Sequence, residues 1–574
     1  MYYLGIFGAV GPNPSAALLK NKEIIAFAEE ERFSRIKNAP DALPINAIFF
    51  CLKQGGVTLK DIKNISFGWD CPHQYNNVPT FLKKFYNNNK SLINPYNLNL
   101  EKRIKLGYDP ERIYNELKWA FAIKKQKLEK KKIIYYKHHL CHAASTYFAS
   151  GFKKASILIL DGMGEEFTGG LYKGENEKIT CLKMFSLPNT LGGFYSTFTD
   201  FLGFRANSEE GKLMALAAYG KYSTKIQSKL NKFLKYNNKS GDFQLDPNLR
   251  FGGKRSFSPR FSDNFVKIFG RQRQSNEKVT KVHENLAYNV QWRLEEVVKI
   301  IIKNLISKTK IDNVCLAGGV HMNCKLNGMV ATLPEVKNIF IQPASSDNGV
   351  SLGAAMISAN TKIGKFKKME HCYYGESFTN RQILKSLKES KLKFKKVKNL
   401  NKKVAQYLSK GKIIGWFQGR SEVGARALGN RSILANPLIK NMKFKVNKEV
   451  KHRETWRPFC PSINDYKYNE YFGSVPDSDF MILAFKIKKK FIKLLPSAVH
   501  VDGTARPQVV KKKTNAKYYD LLKEFEKITS HPVLINSSFN IQGEPIVNTP
   551  SEAIRCFSGT GIDILAIGDY LITK

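Results

Sequence analysis

Two stretches of this chain share one pattern of residues: LGIFGAVGPNPSAALLKNKEIIAFAEE at 4–30 and ILILDGMGEEFTGGLYKGENEKITCLKMF at 157–185. Each opens with an apolar run, passes through a glycine-bearing turn into a run of small residues, and reaches a third run after a charged turn. Short apolar runs separated by turn residues are typical of β-strands joined as hairpins. The repeat therefore predicts a first domain built from two duplicated half-domains, each led by a hairpin.

The sequence after the second repeat alternates helix and strand patterns. A long helix is predicted from about Glu284 to Lys308, and two strand-to-helix patterns follow it, VCLAGGVHMNCKLNG and VKNIFIQPASSDNGVSLGAA. This alternation predicts a layered α/β fold. We expect a first α/β domain over 1–362, a polar lysine-rich linker over 363–395 and a second α/β domain over 396–574.

Composition limits the classes of protein that this chain can be. At 43% hydrophobic residues it can bury large cores, and it has no apolar run near the roughly 18–20 residues of a membrane span. The N-terminal MYYLGIFGAV is typical of a first strand, not of a signal peptide. Nine scattered cysteines without a C-x-x-C pair indicate reduced thiols, so we expect a cytoplasmic protein.

The net charge of +45 comes from 93 lysines and arginines against 48 acidic residues. One interpretation is an anionic partner such as nucleic acid, an acidic glycan or a membrane surface. The other is a set of solvated faces, because the lysines lie in separate runs such as KKQKLEKKK at 124–132. We expect no nucleic-acid partner, since the sequence lacks a recognised RNA-binding module with stacking aromatics and arginines.

Two glycine-bearing turns are candidate nucleotide or metal sites. Asp161-Gly162-Met163-Gly164 follows an apolar strand, and Gly318-Gly319 lies between a strand and a helix. Glycine lets backbone N–H groups approach a phosphate closely, and a carboxylate at a strand end can hold a metal ion. Asp-Gly turns are also common without any function, and neither turn matches the G-x-G-x-x-G or P-loop pattern.

His138 and His142 stand one helical turn apart in KHHLCHAAS at 137–145, directly after a strand-like run. Imidazoles at positions i and i+4 share one helix face and can bind one iron, zinc or nickel ion. Two ligands are not enough for a site, so carboxylates would have to join them, and Asp161 and Asp347 are the candidates. The alternative is one core histidine and one exposed histidine without a metal.

Longer motifs in a fixed order resemble a known family. In the first half they are HHLCHAAS, LDGMGE, EGKLMALAAYG, AGGVHMNCKLNG and PASSDNGVSLGAA. In the second half they are GWFQGRSEVGARALGNRSILANP, NKEVKHRETWRPFCPSI, HVDGTARPQVV and PVLINSSFNIQGEPIVNTPSEA. They are similar to the O-carbamoyltransferases of the nodulation, tobramycin and cephem type. The resemblance implies an N-terminal domain of the actin/sugar-kinase superfold, similar to the tRNA threonylcarbamoyltransferase, and a C-terminal YrdC-like domain.

The same resemblance implies residue roles. Iron(II) or another divalent transition metal would be held by His138, His142, Asp161 and Asp347. Carbamoyl adenylate in the first domain would be bound by Gly164, Lys212, Gly318, Gly319 and Asn323. In the second domain, ATP with Mg²⁺ and carbamoyl phosphate would contact Arg426, Ser538 and Asn540, with Lys451, Arg457 and Arg506 as catalytic residues. Independently of the resemblance, clustered arginines are suited to bind phosphate oxygens, and structural salt bridges are the alternative.

The implied reaction has two stages and an unknown acceptor. The second domain would make carbamoyl adenylate. The first would transfer the carbamoyl group to a hydroxyl of a sugar, nucleotide sugar, glycan or other natural product. The protein would be a monomer or a homodimer. One departure affects the first domain, because Pro12 stands where the family has a histidine suited to act as base. The charged segment with Glu30, Glu31, Arg32 and Lys37 would border the acceptor pocket or form a solvated turn.

Two other functions fit parts of the sequence. A tRNA threonylcarbamoyl-type enzyme would account for the fold and the charge, and a non-catalytic scaffold would keep the fold alone. Pyrophosphate release from ATP, with carbamoyl phosphate present or absent, separates these hypotheses.

We predict that the positive charge does not serve RNA binding. A gel-shift titration with tRNA at about 150 mM salt, where non-specific phosphate contacts weaken, should show no tight complex. Nanomolar binding under those conditions would favour the tRNA-modifying alternative.

Overall fold

The computed structural model describes residues 1–77, 105–250, 260–360 and 364–574. It is a mixed α/β structure that divides into two compact units. The first unit contains Met1–Glu23 and Pro40–Lys368, and the second contains Ile24–Ala39 and Met369–Lys574.

The elements up to the end of the first unit are numbered in chain order. The strands are β1 (Tyr2–Phe7), β2 (Ser15–Lys20), β3 (Glu23–Glu29), β4 (Ile62–Phe67), β5 (Ile133–Tyr135), β6 (Lys154–Gly164), β7 (Phe167–Glu175), β8 (Lys178–Ser186), β9 (Leu234–Tyr236), β10 (Phe243–Leu245), β11 (Asn313–Ala317) and β12 (Asn338–Ile341). The helices are α1 (Glu31–Ser34), α2 (Ile45–Gly55), α3 (Cys71–Asn76), α4 (Pro110–Ile123), α5 (His138–Ser150), α6 (Leu191–Phe201), α7 (Glu210–Leu216), α8 (Thr224–Phe233), α9 (Pro247–Arg250), α10 (Asp263–Phe269), α11 (Lys281–Thr309), α12 (Cys324–Ala331) and α13 (Val350–Ala359). The long helix predicted from the sequence is α11.

The strand order of the first unit confirms the predicted duplication. One sheet contains the order β2-β1-β4-β5, with β1 antiparallel to β2 and parallel to β4. The other has the order β12-β11-β6-β7-β8, with β6 antiparallel to β7 and parallel to β11. The strands β1, β2, β4 and β5 therefore correspond to β6, β7, β11 and β12, as the repeated sequence pattern indicates.

Helices α5 and α13 pack on each other between the two sheets. Helix α13 also contacts β1, β2 and β4, and α5 contacts β6, β11 and β12. Small residues permit this close approach: a Cβ at Gly353 would lie 1.8 Å from the Cys141 carbonyl oxygen, and a Cβ at Gly5 would lie 1.8 Å from the Ser351 carbonyl oxygen. Helix α13 is consequently packed backbone to backbone against α5 on one side and against β1 on the other.

The second unit has one large mixed sheet. Its strands are β13 (Phe394–Lys396), β14 (Ile414–Phe417), β15 (Arg431–Ala435), β16 (Cys460–Asn464), β17 (Phe485–Lys486), β18 (Thr504–Ala505), β19 (Gln508–Val510), β20 (Val533–Ser538), β21 (Ile564–Ile567) and β22 (Tyr570–Thr573). Its further helices are α14 (Asn380–Glu389), α15 (Leu400–Ser409), α16 (Met442–Lys445), α17 (Asp465–Phe472), α18 (Lys489–Ile492), α19 (Ala516–Thr529) and α20 (Pro550–Ser558). The sheet order is β13-β22-β21-β14-β15-β20-β16-β19. Trp416 and Phe417 on β14 point into two separate apolar clusters, so both faces of the sheet are covered.

Most of the segment predicted to be a linker, from Met369 onward, belongs to the folded second unit. It contains α14, whose Ile383 and Leu387 are buried in one of the apolar clusters, and β13 pairs with β22 at the sheet edge. The linker prediction was wrong here because lysines on the exposed side of α14 obscure two apolar residues spaced at i and i+4.

The segment 24–39 also departs from the predicted boundary, because its contacts place it in the second unit. The Arg32 guanidinium donates to the Gly424 carbonyl at 2.8 Å, and the Gly424 N–H donates to Glu29 at 2.6 Å. Arg35 donates to the carbonyls of Pro545 and Ile546. These buried polar contacts join residues about 400 or more positions apart in the sequence, which local patterns do not reveal.

Two expectations from composition can be compared with the structure. All nine cysteines are free, and all except Cys181 are buried, which agrees with reduced core thiols. Within the described ranges, every helix is too short or too polar to cross a membrane.

We predict that Gly353→Ala destabilises the protein and that Gly211→Ala does not. The added methyl at Gly353 collides with fixed backbone, which typically costs about 1–3 kcal/mol or more. Gly211 lies in α7 with open space around its Cβ position, so alanine there should be neutral or stabilising by up to about 1 kcal/mol. Urea unfolding followed by circular dichroism measures both, and equal midpoints would show that α5 and α13 can separate without cost.

Candidate metal centre and anion site

Four predicted metal ligands of the first unit converge on one point. His138 and His142 begin α5, Asp161 lies near the end of β6, and Asp347 precedes α13. One ligand atom from each lies within 4.8 Å of the other three. The Nε2 atoms of the two histidines are 3.1 Å apart, and Asp161 Oδ2 is 3.2 Å from His138 Nε2 and 3.5 Å from His142 Nε2. The prediction that these residues come together is confirmed.

Neighbouring groups orient the first histidine. Nδ1 of His138 is 3.3 Å from the Gly68 carbonyl oxygen, so a hydrogen bond there leaves Nε2 free to act as a ligand. The Glu165 carboxylate accepts the backbone N–H groups of His138 at 3.1 Å and Asp70 at 3.0 Å. Trp69 packs on the His138 ring with centroids 4.6 Å apart. The start of α5 is therefore fixed before any ligand binds.

Asp161 is shared between the histidines and the double-glycine turn. Its Oδ1 accepts the Gly319 N–H at 3.0 Å, while Oδ2 faces the two imidazoles. Burial alone would raise the pKa of Asp161, but hydrogen bonds from His138 and His142 outweigh it and hold that pKa well below its usual range. Burial lowers the pKa of His142, yet Asp161 and Asp347 raise it to about 9.

The residues present fit a divalent transition metal. Two imidazoles and two carboxylates form a mixed nitrogen and oxygen donor set that suits iron or zinc. The histidines are fully buried and Asp161 is nearly so, which is costly for charged carboxylates unless a cation compensates them. His142 Nδ1 is buried without a protein partner among the described residues. The alternative of one core histidine and one exposed histidine is wrong, because both His138 and His142 are buried.

The residues predicted to bind a nucleotide in this unit fall into two groups. Gly164 and Gly319 border the histidine and aspartate cluster: a Cβ at Gly164 would lie 2.4 Å from His138 Cδ2, and one at Gly319 would lie 3.0 Å from Asp161 Oδ1. Gly318 adopts φ +97° directly behind them. Close backbone approach at these positions requires glycine.

Lys212 and Asn323 form the second group, around α11. Asn323 caps α12 and exchanges hydrogen bonds with Gln291 of α11 at 2.8 and 3.2 Å. Lys212, on α7, is buried and pairs with Glu209 at 2.7 Å. Helices α7 and α12 meet where the sulfur atoms of Met214 and Cys324 are 3.7 Å apart.

The turn with Pro12 lies against the same cluster. A Cβ at Gly11 would stand 3.9 Å from Asp347 Oδ2, and the Gly11 N–H donates to Asp41 at 2.9 Å. Ser15 Oγ lies 2.8 Å from the Asn348 carbonyl oxygen, so the end of the turn is tied to the Asp347 loop. The position occupied by Pro12 therefore belongs to a turn at the edge of the cluster.

Lys451 is the centre of a second candidate site, in the second unit. Its buried Nζ donates to the carbonyl oxygens of Ser538 and Asn540 at 2.9 and 2.7 Å, and to Asn540 Oδ1 at 2.7 Å. Burial, followed by the charges of Arg453 and Arg457, holds the pKa of Lys451 well below its usual range. Three of the predicted residues, Lys451, Ser538 and Asn540, are thus in direct contact.

Arg453, Arg457 and Arg506 form a group of neighbouring cations near Lys451, which we call the arginine set. Burial and the charges of Arg457 and Arg506 lower the pKa of Arg453 to about 9. Arg506 Nε donates to Cys460 Sγ at 3.0 Å, and Asn447 holds the loop by accepting from Arg453 at 2.7 Å and donating to the Arg457 carbonyl at 3.0 Å. A group of like charges without an equal number of carboxylates stabilises a bound anion such as phosphate.

An open cavity of about 370 Å³ adjoins this set. Its lining residues are Lys448, His452, Arg453, Glu454, Thr455 and Gln542. Arg453 therefore connects the arginine set to solvent-accessible space large enough for a phosphorylated ligand. The described contacts do not bring Arg426, the remaining predicted residue, to Lys451.

The charged segment near residue 30 is not a solvated turn. Glu30, Glu31 and Arg32 are buried, and Lys37 pairs with Glu31 at 3.0 Å. Burial raises the pKa of Glu31, but Lys37 and Arg32 outweigh it and lower that pKa. The segment is a packed part of the second unit, held by ion pairs.

Several site residues could not be assigned from the sequence. Glu165 and the Gly68 carbonyl act on His138 only through folding, and no local pattern marks them. Arg453 is one of five arginines between 420 and 457, and its position at the cavity is a tertiary fact. Glu165 belongs to LDGMGE, four residues after Asp161, but that motif does not reveal its contact with the His138 N–H.

Comparison with known families decides the identification. The family described as carbamoyltransferase N-terminus matches residues 4–356, and the one described as carbamoyltransferase C-terminus matches residues 405–574. This chain belongs to the carbamoyltransferase family. The His and Asp cluster lies in the N-terminal match, and Lys451 with its arginines lies in the C-terminal match.

Individual relatives agree with this assignment. An uncharacterised protein of Synechocystis sp. is 34% identical over 100% of this chain and 97% of its own length. Nodulation protein NolNO of Sinorhizobium fredii is 32% identical over 98% of this chain and 78% of its own. A 3′-hydroxymethylcephem O-carbamoyltransferase of Amycolatopsis lactamdurans is 29% identical over 44% of this chain and 47% of its own. The carbamoyltransferase is thus an enzyme of a family that includes an O-carbamoyltransferase.

Among solved structures, a ROK hexokinase of Thermus thermophilus superposes on 62% of this chain and 98% of its own, with 12% identity and a TM-score of 0.30. Because this TM-score is low, the fold is described from the strand order alone.

We predict that His142→Gln loses bound metal and that His139→Gln keeps it. Both histidines are buried in the same helical turn, but only His142 contributes to the cluster of four ligand atoms. Metal content per chain, measured by elemental analysis of protein purified without chelators, should fall at least about tenfold in the first variant only. Equal metal content in the two variants would refute the ligand assignment.

Proposed function

We propose that this carbamoyltransferase is an ATP-dependent O-carbamoyltransferase that makes carbamoyl adenylate in its second unit and uses it in its first. The observation that carries the proposal is the convergence of His138, His142, Asp161 and Asp347 in the unit that matches the family's N-terminal half. The duplicated sheets support an actin/sugar-kinase-like first domain, and the YrdC-like nature of the second domain is part of the proposal.

In the second unit, the basic residues would neutralise phosphate charge. Water cleaves carbamoyl phosphate to carbamate and phosphate, and a carbamate oxygen then attacks the α-phosphorus of ATP and displaces pyrophosphate. Arg457 and Arg506 would stabilise the charge that accumulates on the phosphoryl oxygens, and Mg²⁺ would accompany ATP. Lys451 holds Ser538 and Asn540 in place, so it would both contact the substrate and organise the pocket.

In the first unit, the backbone would position the adenylate. The glycines at 164, 318 and 319 let the backbone pack closely around the ligand cluster. Their N–H groups, with Lys212 and Asn323, would contact the nucleotide. Iron(II), or another divalent metal bound by the four ligands, would supply Lewis acidity toward a carbonyl or phosphoryl oxygen. The acceptor hydroxyl attacks the carbamoyl carbon, AMP leaves, and the hydroxyl proton is released.

The acceptor is proposed as a hydroxyl on a sugar, a nucleotide sugar, a glycan or another small natural product. The 3′-hydroxymethylcephem O-carbamoyltransferase among the relatives supports a small-molecule acceptor over tRNA. A homodimer and a cytoplasmic location also remain proposals.

We predict that the two half-reactions separate by mutation. Arg506→Ala should suppress both pyrophosphate release and carbamoylated product by roughly 30- to 1000-fold, because one charged phosphate contact is worth about 2–4 kcal/mol in the transition state. Asp347→Ala should lose transfer but still release pyrophosphate from carbamoyl phosphate and ATP, because its fault lies downstream.

The control for charge removal is Arg555→Ala, an exposed arginine of the same unit that pairs with Glu544 at 3.6 Å. It should leave pyrophosphate release unchanged. Normal pyrophosphate release by Arg506→Ala together with its loss in Asp347→Ala would show that the two sites are assigned to the wrong units.

A further inference from the structure

Helix α4 presents two large apolar side chains to solvent. The Trp119 side chain is 70% exposed and Ile123, one turn further on, is 58% exposed. The opposite face of α4 is buried through Ile113, Leu117 and Phe121. Trp119 and Ile123 are therefore not core residues of a poorly packed helix but an outward-facing pair on a well-packed one.

The exposed pair is surrounded by unneutralised positive charge. Residues 118–127 read KWAFAIKKQK and contain no acidic residue. Lys118, Lys124, Lys125 and Lys127 form no ion pair with a carboxylate in the described part of the chain. We call Trp119, Ile123 and these four lysines the α4 patch.

The nearest carboxylates along the chain are engaged by other cations. Glu116 pairs with Arg112 at 2.7 Å, Glu129 pairs with Lys131 at 2.9 Å, and Glu111 pairs with Lys130. The α4 patch consequently keeps a net positive charge beside its apolar residues, although Lys127 adds to the effect of Lys131 in lowering the pKa of the Glu129 carboxyl.

The α4 patch is also rigid. After Ile123 the chain turns back, with the N–H groups of Lys124 and Gln126 bonded to the Phe121 carbonyl and Lys125 bonded to Ala122. Gln126 accepts the Leu59 N–H at 2.7 Å, and Leu128 is buried. The backbone that carries the apolar and cationic side chains is therefore held in one conformation, so a partner binds without ordering that backbone first.

We propose that the α4 patch docks this carbamoyltransferase on an anionic membrane surface. Tryptophan prefers the membrane–water interface, an aliphatic neighbour adds insertion into the acyl boundary, and long lysine stems reach the headgroups while their apolar neighbours go deeper. Lysines near an anionic surface each add attraction. The proposal is independent of the proposed reaction.

Other occupants fit the α4 patch less well. A second copy docked face to face would bring two sets of four lysines together, which repel. A nucleic acid would use Trp119 for stacking but has no use for Ile123, and arginine, which stacks and forks onto phosphates, is absent from 118–127.

The test uses the full-length protein and large vesicles of phosphatidylcholine with or without about 30% phosphatidylglycerol, at about 150 mM salt. Cosedimentation should show binding to the anionic vesicles and none to the neutral ones. Trp119 is the tryptophan among five that is largely exposed, so its fluorescence should shift to the blue on binding. Trp119→Phe should keep binding while removing most of that shift.

Charge reversal provides the matched comparison. Lys124→Glu, Lys125→Glu and Lys127→Glu together should lower the vesicle partition coefficient at least about 100-fold, since each lysine near an anionic surface contributes roughly fivefold. The triple variant Lys391→Glu, Lys393→Glu and Lys395→Glu changes the net charge equally at exposed positions of the second unit and should bind like the parent. Circular dichroism and thermal melting check that every variant is folded.

Each of several outcomes would overturn the proposal. They are no binding to anionic vesicles, binding without a change in Trp119 fluorescence, equal losses in the two triple variants, and concentration-dependent self-association that Trp119→Asn abolishes. Tight RNA binding with quenched Trp119 fluorescence, in place of vesicle binding, would also assign the α4 patch to a different partner.

Discussion

The close packing of α5 against α13 is the constraint on which the first site depends. Backbone atoms of the two helices approach at Gly353 and Cys141 so closely that no side chain fits between them. His138 and His142 begin one helix, Asp347 immediately precedes the other, and β6 brings Asp161 to the same point. The relative position of these two helices therefore sets the distances among the four ligands.

The two candidate sites solve opposite electrostatic problems. In the first unit, the buried Asp161 and the partly buried Asp347 face two buried imidazoles, and the paired carboxylates call for a cation. In the second, burial and neighbouring arginines lower the pKa values of Lys451 and Arg453, and the clustered positive charge calls for an anion. Each site is thus incomplete without a ligand of the opposite sign, which is the expected state of a binding site rather than of a structural ion pair.

The basic residues that give the chain its positive charge lie in two different settings. Many carboxylates of the described chain pair with lysine or arginine, and buried ones such as Glu29 and Glu31 pair with Arg32 and Lys37 inside the segment 24–39. Glu29 also accepts the Gly424 N–H and so joins that segment to the rest of the second unit. The α4 patch differs because four lysines without acidic partners flank exposed apolar side chains. The same lysine-rich composition therefore contains solvated faces and one surface with the chemistry of an interface.

The sequence by itself determined the duplicated α/β architecture, the long helix α11, the pairing of His138 with His142 and the motifs that identify the family, because each of these is a local pattern or a fixed order of residues. It did not determine that 24–39 and 369–395 fold into the second unit, since those contacts join distant residues or rest on two apolar side chains among lysines. Nor could it show that Glu165 and Gly68 orient His138 or that Arg453 lines a cavity. Such roles depend on which atoms meet after folding, and only the tertiary structure decides that, because burial and packing act between residues that the chain itself keeps apart.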